Sequence, residues 1–183
     1  KNDWRKKLVM IRALFPGTFD PIHNGHVDIA ERASKIFDEL VVAVYDRPLK
    51  NLLFSPEERF LMTIESLGHI ENIKVVGYSG LTVAFAREIQ AKVIVRGLRV
   101  ISDFEHEFRM ALANKHLDPV IEVAALITNE QYTFLSSSTV REIASLGGDY
   151  SRMVPKIVKE ALDKRFLELG ENQSIVQPTY LRD

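Results

Sequence analysis

A chain of 183 residues, 46% hydrophobic and 27% charged, suits one globular domain of ordinary size. Its formal net charge of -1 argues against the broad basic surface that general nucleic-acid binding needs. It has no cysteine, which excludes disulfides and thiolate metal sites, and no apolar run approaches the ~20 residues of a membrane span. The expectation is therefore a cytoplasmic protein without membrane or nucleic-acid partners.

Lys1 to Val9 reads as a charged N-terminal extension without the apolar core of a signal peptide, and Met10 as either the native start or a core residue. Val9 to Phe15 is an apolar, strand-like run, and Val27, Ala30, Ala33, Ile36 and Phe37 follow at helical spacing. Between them lies Pro16-Gly17-Thr18-Phe19-Asp20-Pro21-Ile22-His23-Asn24-Gly25-His26, a turn that puts His26 at a helix start. Free N–H groups and the positive end of the helix dipole attract anions there. Gly17 and Gly25 are expected to let the backbone approach a ligand, with Thr18 and His26 aimed at the same anion. An ordinary βα turn bearing two surface histidines has the same spacing. His23 and His26 lack a third ligand with recognisable spacing, so no metal site is expected.

Leu40 to Tyr45 reads as a buried strand, followed by a loop from Asp46 to Phe54. Ser55, Pro56 and Glu58 then signal a capped helix with Phe60, Leu61, Ile64 and Leu67 as its apolar face. Ile73 to Gly77 is a third strand, Thr82 to about Gln90 a short helix, and Val93 to Arg96 a fourth strand. Asp103 is expected to cap a helix running to about His116, Ile121 to Ile127 forms a fifth strand, and Ser136 to Thr139 opens a helix that Gly147-Gly148 closes. A last helix follows Pro155. This alternation predicts an α/β fold, a doubly wound five-stranded parallel sheet with C-terminal helices, whose ligands bind at the carboxyl ends of the strands. Four segments should meet there: the first motif, Asp46 to Phe54, Arg96 to Asp103, and Thr128 to Ser138.

Arg96-Gly97-Leu98-Arg99 places two guanidinium groups after a strand, either for phosphates or as surface arginines paired with Asp103 or Glu105. Lys50 is in a loop where an ammonium reaches a phosphate or simply faces solvent. The run Ser136-Ser137-Ser138 is a helix cap and, in form, a second anion cradle.

GTFD followed by HxGH resembles the nucleotidyltransferases with a (T/H)xGH signature, in which a phosphate of the second substrate attacks a nucleotide α-phosphate. The opening motif is shared with nicotinate mononucleotide adenylyltransferases. Arg96 to Glu107, however, closely resembles the stretch typical of phosphopantetheine adenylyltransferases, and Pro56-Glu57-Glu58-Arg59 and Tyr132 to Arg141 also match that family. The resemblance spans roughly Ala13 to Phe166 and implies a Rossmann-like nucleotidyltransferase domain over 10–169, with 170–183 as a tail.

What the resemblance implies is adenylyl transfer from ATP to 4′-phosphopantetheine, giving dephospho-coenzyme A and pyrophosphate. His26, Thr18, Lys50 and Arg96 would be catalytic. Thr18, Phe19, His26, Gly97, Leu98, Arg99, Glu107, Tyr132, Thr133, Phe134, Leu135, Ser136, Ser137 and Ser138 would bind ATP, and Thr18, Lys50, Thr82 and Arg96 phosphopantetheine. Mg²⁺ would accompany ATP, held by phosphate oxygens and water. A homohexamer inhibited by coenzyme A is implied as well. Thr82, His106 and His23 stand where methionine, tyrosine and threonine are usual. A nicotinate mononucleotide enzyme and a non-catalytic nucleotide sensor are the alternatives.

Overall fold

In β1 (Arg12–Gly17) alternate side chains serve two separate cores, as a strand covered on both faces requires. Ala13 and Phe15 join Leu40, Val42, Val44 and Val95 on one face, while Leu14 joins Val41, Ala43 and Ile94 on the other. A computed structural model describes residues 10–46 and 52–171. Lys50, the N-terminal extension and nearly all of the tail lie outside these residues.

The described strands continue with β2 (Glu39–Tyr45), β3 (Ile73–Tyr78), β4 (Val93–Leu98) and β5 (Glu122–Ile127), in one five-stranded sheet of order β3-β2-β1-β4-β5. All neighbours are parallel. The strand order reverses at β1, which makes the β1/β4 boundary the topological switch point where such sheets open a crevice. Register shows the opening directly. β1 pairs with β2 from Arg12↔Glu39 to Gly17↔Val44 but with β4 only at Ala13↔Val93 and Leu14↔Ile94. Beyond Leu14 the two strands part.

Helices α1 (Asn24–Ser34), α2 (Pro56–Leu67), α3 (Thr82–Glu88), α4 (Ile101–Leu117), α5 (Ser137–Ser145) and α6 (Lys156–Glu171) complete the fold. Ser55 caps α2 as expected: its side chain accepts the Glu58 N–H, and the Glu58 carboxylate accepts the Ser55 N–H at 2.8 Å. The expected apolar face of α2 is met only in part: Leu67 is buried and Phe60 packs against the core. Leu61 and Ile64 are exposed, and Arg59, Met62, Thr63, Ser66 and Leu67 are buried, because Arg59 turns inward to bind main-chain carbonyls. In α1 the buried face is Gly25, Ile29, Ala30 and Ala33, and Ile36 falls beyond the helix end, exposed. Asp103 does not cap α4 either: Val100 is the N-cap, and Asp103 lies inside the first turn, accepting the Arg99 N–H at 3.1 Å.

Candidate active site

The crevice between the diverging strands holds a cleft of about 300 Å³ whose lining includes Thr18, His26, Arg96, Arg99 and Ser136. His26 occupies the first turn of α1, where its Nδ1 accepts the His23 N–H at 3.2 Å. Burial first, then the charges of His23, Arg99 and Arg96, hold its pKa well below 6.5. The ring is therefore neutral at pH 7, and with Nδ1 accepting, its proton sits on Nε2 as a hydrogen-bond donor. His23 stacks on it at 3.6 Å between centroids and has its own pKa lowered to about 3 by burial and by Arg99. Phe19, 2% exposed, meets the His26 ring edge-on at 5.0 Å. Gly17 serves this packing, since a Cβ there would meet the Phe19 ring at 2.7 Å. Close approach within the turn, rather than to a ligand, explains that glycine.

The two arginines are tied down from α4. Arg96 donates through Nε and Nη2 to the Glu107 carboxylate at 2.7 and 2.6 Å, and through Nη1 to the Pro16 carbonyl at 3.1 Å. Arg99 donates through Nε and Nη2 to Asp103 at 2.9 and 3.1 Å, and through Nη1 to the Leu135 carbonyl at 2.7 Å. Burial works to raise the Asp103 pKa, but the Arg99 hydrogen bonds and charge bring it below the usual carboxylate range. A guanidinium has five N–H groups, so each arginine keeps two for a ligand. Both are also held in fixed forks, which lowers the entropy lost on binding an anion.

The start of α5 completes the rim. Ser136 is its N-cap, its Oγ accepting the Thr139 N–H at 3.0 Å, and Ser137 donates its hydroxyl to the Pro21 carbonyl at 2.9 Å. Those hydroxyls are engaged within the protein, so what this helix start offers an anion is its first N–H groups. The cleft is lined by Thr18, Phe19, His26, Arg96, Gly97, Arg99, Glu107, Tyr132, Ser136 and Ser137, but not by Leu98, Thr133, Phe134, Leu135 or Ser138. Leu135 faces the core at 1% exposed, Phe134 is turned out to solvent, and Thr133 donates to the Glu130 carbonyl at 2.9 Å. Glu107 reaches the cleft as the partner of Arg96.

A second cleft of about 400 Å³ shares Pro16, Gly17, Thr18, Arg96 and Glu107 with the first and continues along Tyr78, Leu81, Thr82, His106, Met110 and Asn114. Thr82 Oγ1 and the Tyr78 hydroxyl lie 3.1 Å apart, and Tyr78 stacks on Phe85 at 4.9 Å.

One cleft lined by arginines is thus joined through Thr18 and Arg96 to a larger one. The chain that builds them is similar to known proteins. A family model described as cytidylyltransferase-like matches residues 14–143. A phosphopantetheine adenylyltransferase of Roseiflexus sp. (strain RS-1) is 54% identical over 157 residues, covering 86% of this chain and 98% of the relative. One from Herpetosiphon aurantiacus is 51% identical over 165 residues, covering 90% and 100%. The chain belongs to the phosphopantetheine adenylyltransferase family.

It is thus a nucleotidyltransferase. A crystal structure from Vibrio parahaemolyticus, provisionally assigned as a nicotinate-nucleotide adenylyltransferase, aligns with a TM-score of 0.63 over 84% of this chain and 99% of its own. At 22% identity that likeness speaks for the fold alone. No described helix is long and apolar enough to cross a membrane.

Arg59, Asp20 and Arg141 escaped the sequence reading. Asp20, 2% exposed, accepts the Leu53 and Phe54 N–H groups at 2.9 and 3.0 Å and Arg141 Nη1 at 3.1 Å. Arg141 also binds the Asp20 carbonyl. GTFD and PEER stand out as motifs, yet nothing in their spacing says that they face each other.

Proposed function

We propose that the chain transfers the adenylyl group of ATP to 4′-phosphopantetheine, forming dephospho-coenzyme A and pyrophosphate as a step of coenzyme A biosynthesis. The observation that carries this reading is the pair of clefts meeting at Thr18 and Arg96, one lined by arginines and helix starts, the other of about 400 Å³ and lined by residues such as Tyr78, Leu81, Thr82 and Asn114. An oxygen of the phosphopantetheine phosphate attacks the α-phosphorus. The bond to the bridging oxygen breaks, and pyrophosphate leaves with its electron pair.

In this reading Nε2–H of His26 donates to the α-phosphate as charge builds there, a role that suits a neutral, preorganised donor. Thr18 sits between the substrates and Arg96 holds the incoming phosphate, with Lys50 assigned beside it from family resemblance. Arg99 and the main-chain N–H groups at the start of α5, over Ser136 to Ser138, hold the ATP phosphates, with Tyr132 near the purine. Thr82 faces the pantetheine arm.

The metal is proposed as Mg²⁺. The carboxylates of the first cleft, Asp103 and Glu107, are both engaged by arginines, so the chemistry here favours a cation carried by phosphate oxygens and water over one caged by the protein. It would supply charge neutralisation on the phosphates.

A homohexamer in the cytoplasm, with coenzyme A as feedback ligand, is proposed on family grounds. The exposed apolar stripe Ile101, Phe104, Phe108 and Leu112 along α4 supports self-association. The deciding assay is pyrophosphate release from ATP with 4′-phosphopantetheine, nicotinate mononucleotide or glycerol 3-phosphate as acceptor. Release with phosphopantetheine alone is expected, and release with another acceptor instead overturns the reading.

A further inference from the structure

Among the described residues Arg59 is the largest side chain with no exposed surface, and none of the roles above uses it. Its Nη1 donates to the carbonyls of Thr18 at 2.6 Å and Tyr45 at 2.7 Å, and its Nε to that of Phe54 at 3.3 Å. Burying a guanidinium against carbonyls is expensive, and a leucine would fill the same volume more cheaply. A cost of that kind calls for a return that packing does not supply.

The return lies in the turn that Arg59 touches. Phe19 has φ 50, a left-handed conformation that a bulky side chain adopts only under constraint. Other elements grip the main-chain carbonyls around it: Pro16 by Arg96, Thr18 by Arg59, Asp20 by Arg141 and Pro21 by Ser137. Thr18 is where the two clefts join. Among its main-chain atoms the carbonyl is therefore fixed to the end of β2 and to the start of α2 by one rigid fork.

We infer that Arg59 is a positioning residue for the transfer reaction, holding the Thr18 turn in the geometry at which the substrates of the two clefts meet. The inference rests on the adenylyl-transfer reading. Misplacement of a reacting group by about 1 Å costs on the order of 10²-fold in rate. A merely structural arginine would instead lower stability and leave the folded enzyme's turnover unchanged.

The test compares wild type, Arg59→Lys and Arg59→Ala. Arg59→Lys keeps the charge but loses the fork, and it also guards against a failure of Arg59→Ala to fold. Below the melting transition, kcat is expected to fall roughly 10- to 100-fold, with the ATP KM changed by less than about threefold because Arg59 reaches the ATP cleft only through the Thr18 carbonyl and bonds neither Arg99 nor the start of α5. Guanidinium ion at millimolar concentration should restore part of the turnover of Arg59→Ala. Amide exchange of peptides covering Thr18 should accelerate while those covering β2 stay protected. A kcat within threefold of wild type in a folded variant overturns the proposal. Should wild type fail to turn over phosphopantetheine, the functional reading falls, and the exchange data still decide: unchanged exchange around Thr18 in Arg59→Lys removes the positioning role.

Discussion

His26 is a donor without a charge, and its neighbours enforce that state. Burial and two arginines keep the ring neutral, and the His23 N–H on Nδ1 fixes which nitrogen holds the proton. His26→Ala should therefore lose ~10²–10³ in turnover, the usual loss for one preorganised donor, with an unchanged circular dichroism spectrum. Retention of near wild-type turnover would remove His26 from the chemistry. The same neutrality has a cost in acid. His23 has a folded-state pKa near 3 against 6.5 in the unfolded chain, so below pH 6.5 the unfolded state binds a proton that the folded state refuses. Stability contributed by the neutral ring is full above 6.5 and declines as pH falls toward 3. At pH 5 this amounts to about 2 kcal/mol, or roughly 4–8 °C in the melting midpoint, and the lowered pKa of His26 acts in the same direction. His23→Thr, which installs the residue usual in the family, should visibly shrink the difference in midpoint between pH 7.5 and pH 5. An unchanged difference would mean that His23 is not the group that acid attacks.

At the scale of elements, what was legible depended on how local the cause was. The start of α2 followed from Ser55, Pro56 and Glu58 because a cap is settled within four residues. Its buried face followed only at Leu67 and in part at Phe60, because Arg59 points inward for the carbonyls of Thr18, just after β1, and Tyr45, at the end of β2, which no helical period can foresee. Asp103 looked like a cap for the same reason: its use by Arg99, four residues earlier, depends on how β4 enters α4. The serines of α5 were correctly placed at a helix start, yet their hydroxyls went to Thr139 and Pro21. On α4 the apolar residues divide between faces. Met110 and Leu117 line the second cleft, while Ile101, Phe104, Phe108 and Leu112 form a separate exposed stripe. A charge within that stripe should oppose self-association, so Phe108→Asp is expected to yield smaller particles than wild type by light scattering while the fold is retained. Identical masses at equal concentration would place the assembly contact elsewhere.

Over the whole molecule, strand divergence and strand order together open the two clefts. β1 and β4 separate after Leu14, Arg96 bridges the gap to the Pro16 carbonyl, and both clefts are lined by that bridge. The five-stranded sheet and its mouth were readable from the alternation of apolar runs and helices, whereas the bridge was not, since it joins residues 80 positions apart. The sequence suggested Arg96 as a contact for the acceptor phosphate, but it lines both clefts, so Arg96→Ala should weaken both substrates. Arg99 lines the first cleft without the second, and Arg99→Ala should weaken ATP while sparing phosphopantetheine. Thr82 lines the second alone. Its hydroxyl is already engaged with Tyr78, so Thr82→Met exchanges one neutral hydrogen bond, and the polarity it lends the channel wall, for apolar contact. Acceptor affinity should shift by about 1 kcal/mol, roughly fivefold, with ATP affinity unchanged in calorimetry. A shift confined to ATP would show that the second cleft does not take the acceptor, and the division of substrates between the two clefts would have to be reversed.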